Sequence, residues 1–164
     1  VDPRRFGPYA SRGYLKVKNE EAYANVFTPH YPDEERVAAR PFRDAAFTKA
    51  VRAAYDNSCA ITGLRIINGG GRPEVQAAHI RPVAQSGPDS VRNGMALSGT
   101  LHWMFDRGLI SVDDDYRILL ARQRVPDALS RMFNIDGKLR PPSRVEFRPH
   151  PQFLRFHRES IFKG

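Results

Sequence analysis

Residues 77–108 constrain the fold of this chain more than any other segment. His79 lies near the end of an apolar run that is typical of a β-strand, and residues 82–93 are rich in turn-forming Pro, Gly, Ser and Asn. A short helical pattern then begins near Leu97 and stops at Gly108, a residue type that favours helix ends. A strand, a loop and a helix this short cannot form a core alone, so the flanking segments must pack against them.

Two further elements are predicted before this segment. Apolar residues recur at helical spacing between Pro41, which precedes the predicted helix, and Asn57, which follows it. Residues 59–67 and 74–80 are rich in apolar and β-branched side chains and predict a β-hairpin that ends at His79. The Asn-Gly-Gly-Gly run at 68–71 supplies its turn.

Three further elements are predicted after it. Residues 109–112 and 116–120 flank three aspartates and predict a second hairpin. Helices are predicted from Pro126 to about Phe133 and from Pro151 onwards, because proline favours the first helical position. The predicted fold class is therefore α+β, with a ββα core and flanking helices and hairpin.

The predicted organisation is one domain with an amino-terminal extension. Residues 1–40 have little periodicity and are interpreted as an arm or linker, and residues 41–164 as the domain, with its core over about 58–108. The chain begins with Val1, so we expect that it can be part of a longer protein with an amino-terminal targeting domain. A homodimer is an open alternative.

The charge and cysteine content limit the partners and the compartment. There are 26 Lys and Arg residues against 18 Asp and Glu, a net charge of +8 that favours polyanions such as DNA. Heparin-binding, ribosomal and membrane-surface domains can carry the same excess. Cys59 is the only cysteine, which excludes an internal disulfide and favours a reduced, cytoplasmic setting. No apolar run is long enough for a membrane span.

The polar residues of the central segment suit phosphodiester hydrolysis. His102 and Asp106 are one helical turn apart and can bind one divalent cation together, while His79 can take a proton from water. Asn93 can hold the loop and the orientation of the base, although Asn-Gly is also a common turn dipeptide. Asp106 can alternatively cap the helix or form an ion pair. Arg81 and Arg107 are candidate ligands for flanking phosphates.

Three motifs resemble those of the HNH endonucleases, the ββα-metal nucleases. They are Ala-His-Ile-x-Pro, Asn-Gly-x-Ala-Leu and Leu-His-x-x-Phe-Asp-x-Gly. The resemblance implies that the family's three signature positions, which are catalytic, are His79, Asn93 and His102. It further implies DNA cleavage that leaves 5′-phosphate and 3′-hydroxyl ends, as in restriction, and a Mg²⁺ or Mn²⁺ cofactor.

Two departures from the family pattern affect metal binding. Ala78 occupies the place where many members carry an acidic or histidine ligand, so we expect Asp106 to replace that ligand. Many members also hold a structural zinc with two Cys-x-x-Cys pairs. The corresponding positions retain one thiol, so no structural zinc is expected and apolar packing must connect the hairpin to the helix. These positions are Cys59, Thr62, Ser98 and Leu101.

The main alternative is a catalytically inactive DNA-binding module that keeps the fold, and Ala78 makes it conceivable. A protein-interaction domain is a more distant alternative. The histidines outside the motifs are expected to have surface or structural roles. The aromatic part of the predicted helix is expected to form core rather than to stack on DNA bases. The histidines outside the motifs are His30, His150 and His157. The helix residues expected in the core are Trp103, Met104 and Phe105.

Overall fold

The computed structural model describes residues 33–164, with side chains from residue 43 onwards. Its first element is helix α1, which spans Asp33–Ala54. The helix therefore begins before Pro41, and the predicted boundary between residues 40 and 41 falls inside it. The remainder of the predicted arm lies outside the described residues.

Helix α1 packs against a two-stranded antiparallel sheet. Strand β1 spans Gln76–His79 and strand β2 spans Gly94–Leu97, with His79 paired to Gly94 and Gln76 to Leu97. A side chain could not replace the hydrogen of Gly94, because a Cβ atom there would lie 2.4 Å from Cγ2 of Val51. The Asn-Gly dipeptide thus allows the close approach of α1 to the sheet.

The predicted hairpin of residues 59–67 with 74–80 forms only next to its turn. Residues 59–64 form a turn in which the Gly63 amide donates to the Cys59 carbonyl at 2.8 Å. An isolated bridge joins Ile67 to Pro73, flanked by hydrogen bonds from the Asn68 amide to the Arg72 carbonyl and from the Glu74 amide to the Ile66 carbonyl, but no ladder continues from there along β1. The partner of β1 is instead the segment 94–97, in which every residue is buried.

The short helix that follows was predicted in nearly the right place. Leu97 ends β2, and helix α2 spans Gly99–Asp106. Gly108 follows it with φ of +70°, a left-handed conformation that glycine adopts without strain, as predicted for a helix end. Helix α2 contacts β1 as well as the next sheet.

The second hairpin was predicted correctly. Strands β3 (Ile110–Val112) and β4 (Ile118–Leu120) are antiparallel, and the Asp113 carboxylate accepts hydrogen bonds from the backbone amides of Asp115 and Arg117 in the turn. The predicted helix from Pro126 is a 3₁₀ segment, Asp127–Met132, that buries no residue and so has no apolar face to favour an α-helix.

Helix α3 spans Pro151–Ser160 and begins at the predicted proline. Among the described residues, no helix has the length and apolar character needed to cross a bilayer. The predicted α+β class is confirmed, and one core joins the helices to the sheets. Its largest fully buried side chains include Phe47, Phe105, Ile61, Met95, Leu101 and Leu154.

His157 of α3 is a structural residue, as expected. It is 1% exposed and stacks on Phe105 with 3.7 Å between ring centroids. Its Nε2–H donates to the Phe105 carbonyl at 3.0 Å, and its Nδ1 accepts from the Ser111 hydroxyl at 2.8 Å. Burial lowers the pKa of His157 from 6.5 to about 4, because the charged imidazolium loses its hydration.

This buried histidine predicts a loss of stability in acid. Since its pKa is lower in the folded chain than in the unfolded chain, protonation favours unfolding, and stability falls as pH decreases from 6.5 towards 4. The contribution is at most about 3 kcal/mol of unfolding free energy. Denaturant titrations across this pH range should give a smaller pH slope for His157→Gln than for the wild type. Equal slopes would contradict the assignment.

Candidate active site

His79 stands at the end of β1 with its ring held on both a face and an edge. The ring stacks on Phe47 of α1, with 3.9 Å between centroids and 13° between planes. Its Nε2 lies 2.9 Å from Oδ1 of Asp89, and the His79 side chain is 20% exposed. An ionised carboxylate can only accept, so Nε2 carries a proton, and in the neutral ring Nδ1 then keeps its lone pair. The histidine is therefore oriented with one nitrogen ready to accept a proton.

Asp89 lies in the segment 82–93, whose sequence predicts only turns and gives no sign of a contact with His79. The loop between β1 and β2 returns this residue to the end of β1. Its second carboxylate oxygen lies 3.9 Å from Nη1 of Arg43 on α1. No spacing rule marks such a residue, because the contact with His79 depends on how the loop folds.

The side chain of Asn93 closes this loop from inside. It is fully buried, its Oδ1 accepts from the Arg81 amide at 2.9 Å, and its Nδ2 donates to the carbonyls of Arg81 at 3.0 Å and Pro88 at 2.9 Å. The Ile80 amide also donates to the Asn93 carbonyl at 2.9 Å. Asn93 thus shapes the loop around Asp89 and is too deeply buried to meet a substrate itself.

His102 and Asp106 share the exposed face of α2. Nε2 of His102 lies 3.4 Å from Oδ2 of Asp106, and the two side chains are 22% and 50% exposed. Nδ1 of His102 lies 2.7 Å from Oε1 of Gln76 on β1. The amide oxygen accepts the Nδ1 proton, which leaves the Nε2 lone pair directed at a carboxylate. This contact needs either a further proton on Nε2 or a cation shared by the two side chains.

The sheet separates the two histidines. His79 faces α1, as its stacking on Phe47 shows, whereas Gln76 contacts His102 of α2. Because side chains alternate along a strand, Ala78 lies on the same face as Gln76. Position 78 therefore faces α2, and its methyl group offers no ligand there. The two histidines flank β1 on opposite faces.

The positions that correspond to the family's zinc cysteines are filled by packing. Cys59 is buried, and its sulfur accepts from the Ser98 amide at 3.5 Å. Leu101 is fully buried in the core, and the Thr62 hydroxyl accepts from the Leu64 amide in the turn. Apolar contacts and backbone hydrogen bonds thus connect this turn to α2.

The two candidate phosphate ligands, Arg81 and Arg107, each stack on an aromatic side chain. Arg81, two residues after His79, donates from Nε to the Gln85 carbonyl, and its guanidinium stacks on Phe156 of α3 at 4.7 Å. Arg107 follows α2, and its guanidinium lies 4.4 Å from the ring centroid of Trp103. The prediction that Trp103 belongs to the core was wrong, since this residue is 51% exposed.

Comparisons with known proteins point to one family for this region. Residues 59–113 match the family model described as HNH endonuclease. Residues 1–44 match a different model, the FAD dependent oxidoreductase central domain. The two matches do not overlap, so the second leaves the first unaffected. A search of curated proteins found no significant match.

Among solved structures, the chain is similar to a protein described as "Modification dependent TagI restriction endonuclease". The TM-score is 0.52 and the identity 24%, over 89% of this chain and 44% of that protein. This similarity supports the fold. The chain spans less than half the length of that protein.

The role of Asn93 in the loop predicts a large effect on stability. Asn93→Ala leaves the Arg81 amide and two carbonyls without their partner, which should lower the unfolding free energy by about 2 to 4 kcal/mol. Asn68→Ala is a matched control, because Asn68 accepts its hydrogen bonds in an exposed turn. Denaturant unfolding should give about 1 kcal/mol or less for the control. Equal losses for the two variants would refute the role assigned to Asn93.

Proposed function

We propose that this chain, whose residues 59–113 match the HNH endonuclease family model, hydrolyses DNA phosphodiesters with the help of a divalent cation. The observation that carries the proposal is the orientation of His79, which is bonded to Asp89 through Nε2 and stacked on Phe47. The products would be 5′-phosphate and 3′-hydroxyl ends.

His79 acts as the general base in this proposal. Its Nδ1 takes a proton from a water molecule, which attacks phosphorus as the bond to the 3′ oxygen breaks. Asp89 keeps the proton on Nε2 before the reaction and stabilises the imidazolium that forms. Phe47 restricts ring rotation. Asp89 is therefore a positioning residue that acts through His79.

His102 and Asp106 are the residues that would hold the cation. Adjacent ligands of a Mg²⁺ ion with bonds of about 2.1 Å lie roughly 3 Å apart, close to the 3.4 Å between Nε2 and Oδ2. Among the side chains that the structure describes, residues 43–164, no group of three or more His, Cys, Asp and Glu could share a metal ion. Two protein ligands suit Mg²⁺ or Mn²⁺, which keep several waters, better than a structural zinc.

When bound there, the cation would neutralise charge on the phosphate and on the leaving 3′ oxygen. Gln76 contributes by accepting the Nδ1 proton of His102, which fixes the tautomer that a metal ligand needs. A phosphodiester that meets both histidines must lie across the end or edge of β1, because they flank this strand on opposite faces.

Arg81 and Arg107 are proposed to bind phosphates on either side of the cut. Their side chains extend from the end of β1 and the end of α2, the two elements that carry His79 and His102. The net charge of +8 supports a polyanionic substrate. Stacking on Phe156 and Trp103 restricts both guanidinium groups, which lowers the entropy lost on binding.

The second candidate function is a catalytically inactive DNA-binding module. The observation that favours it is the methyl group of Ala78 on the face that meets α2, where a third metal ligand could have stood. A DNA-binding module needs neither the carboxylate on His79 nor the shared proton or cation between His102 and Asp106. The variants below separate the two functions.

The proposal predicts that His79 and Asp89 act as one unit. His79→Ala should slow plasmid nicking about 10²- to 10⁴-fold while DNA binding persists, and Asp89→Asn should slow it at least about tenfold. The double variant should be no slower than His79→Ala alone, because Asp89 acts through the missing ring. Asp127→Asn, in the 3₁₀ segment, is the matched control and should cleave normally. Additive effects in the double variant would contradict the coupling, and wild-type nicking by His79→Ala would refute the mechanism.

A second prediction separates catalysis from folding. EDTA should abolish DNA cleavage but leave the melting temperature nearly unchanged, because Cys59 and Leu101 are packed in the apolar core. Added Mg²⁺ or Mn²⁺ should restore cleavage by the wild type but not by His102→Ala. A cooperative loss of structure in EDTA would instead show that a structural metal is present.

A further inference from the structure

Trp103 is an exposed aromatic residue on the helix that carries the proposed metal ligands. It is 51% exposed, whereas its neighbours Met104 and Phe105 are buried. The Arg107 guanidinium stacks over the indole at 4.4 Å, and Nη1 of Arg107 donates to the Trp103 carbonyl at 3.4 Å. One side of the indole is therefore held by a cation, while half of the residue stays open to solvent.

The surroundings of Trp103 connect it to the site described above. The exposed face of α2 carries His102, Trp103 and Asp106, and Arg107 directly follows the helix. Trp103 is thus adjacent in sequence to one proposed metal ligand and precedes the other by less than a turn. Any DNA strand whose phosphate reaches His102 and Asp106 must pass close to the indole.

We propose that Trp103 stacks on an unpaired DNA base next to the phosphate that is cut, with Arg107 holding the indole in place. This inference rests on the proposed function. An indole face and a nucleobase face attract each other whatever the base, and the adjacent guanidinium adds a positive charge that suits a nucleic acid strand.

The location of the indole favours an unpaired base over a paired one. Trp103 lies on the outer face of a helix rather than in a pocket. Within a duplex both faces of each base are covered by neighbouring bases, so an indole on such a surface reaches a base face only where the stack is interrupted. The substrate class inferred is therefore DNA with unpaired nucleotides beside the cut, such as a frayed end, a bulge or a single strand.

The alternative explanation is that Trp103 and Arg107 only stabilise the end of α2. Pairs of side chains four residues apart stabilise a helix only slightly. That role predicts a lower melting temperature for Trp103→Ala, with no dependence of DNA affinity on bases. The inference instead predicts that Trp103→Ala weakens binding only to DNA that has bases. The two explanations therefore differ in whether the loss of affinity depends on the bases.

The test uses the indole as its own probe, because Trp103 is the only tryptophan in the chain. The 164-residue chain carrying His79→Ala is titrated in Mg²⁺ with a single-stranded oligothymidylate of about twelve nucleotides. A second titration uses an abasic oligomer of equal length and charge. Gel analysis afterwards checks that both remain intact. We expect strong quenching of tryptophan fluorescence by the oligothymidylate and little by the abasic oligomer.

The same oligomers, labelled for anisotropy, measure affinity. Adding Trp103→Ala to the His79→Ala chain should weaken oligothymidylate binding about 5- to 150-fold and leave abasic binding unchanged, and Trp103→Phe should fall between. Ile135→Ala is the matched control, because Ile135 is the most exposed large apolar residue of the described part. It should change neither affinity. Melting temperatures confirm that each variant is folded.

Three results would overturn the inference. They are equal quenching by both oligomers, equal loss of affinity for both in Trp103→Ala, and quenching by a perfect duplex alone, which would indicate a wedge between paired bases. Plasmid cleavage by the wild type is measured separately. Cleavage without base-dependent quenching rejects the role of Trp103 but keeps the proposed function. Base-dependent quenching without cleavage supports stacking by Trp103 and rejects the proposed function.

Discussion

The hydrogen bonds of the Asn93 side chain are the constraint on which the rest of the site depends. They connect Arg81 and Pro88 across the loop between β1 and β2, and so determine where Asp89 lies. Buried amides and carbonyls must be paired, which makes this closed loop much more stable than an open one. Gly94, the next residue, lets α1 approach closely enough for Phe47 to stack on His79. Asn93 and Gly94 thus determine both contacts of the His79 ring, the hydrogen bond of its edge to Asp89 and the stacking of its face on Phe47.

This arrangement divides the chemistry between the two faces of a small sheet. The proposed base, His79, is held by α1 and the loop, and the proposed metal ligands by α2, with Gln76 of β1 as the link to His102. The alternation of side chains explains why Ala78 matters, since it is the residue of β1 that faces α2 beside Gln76. In the proposed site Asp106 would bind the same cation as His102 from the helix, which would compensate for a ligand that the strand does not provide. The proposed metal site therefore depends on α2 alone for its protein donors.

The local features of the fold could be predicted from the sequence, and the contacts between distant segments could not. Helical spacing relates His102 to Asp106, and Gly108 marks the end of their helix. The partner of β1 was misassigned because residues 59–67 resemble a strand as closely as residues 94–97 do, and only burial distinguishes them. Asp89 and Gln76 were missed because a hydrogen bond across a loop or between a strand and a helix leaves no periodic pattern.

Trp103 shows a different kind of error. Leu101, Met104 and Phe105 are spaced at three and four residues and define one buried face of α2, and Trp103 lies off that face. The spacing of the apolar residues in the sequence already places position 103 outside this buried face. The prediction that Trp103 lies in the core rested instead on the size and hydrophobicity of tryptophan. An exposed aromatic residue beside polar groups is informative because it departs from the expected burial.

The central claim is that His79 supplies the base, and chemical rescue tests it most directly. In His79→Gly the imidazole ring is removed and a space remains beside Asp89 and Phe47 that a free imidazole can fill. The account predicts that this variant barely cleaves DNA in Mg²⁺, and that added imidazole restores cleavage in proportion to its neutral form. His102→Gly should not be rescued in this way. Cleavage by His79→Gly at the wild-type rate, unchanged by imidazole, would contradict the account.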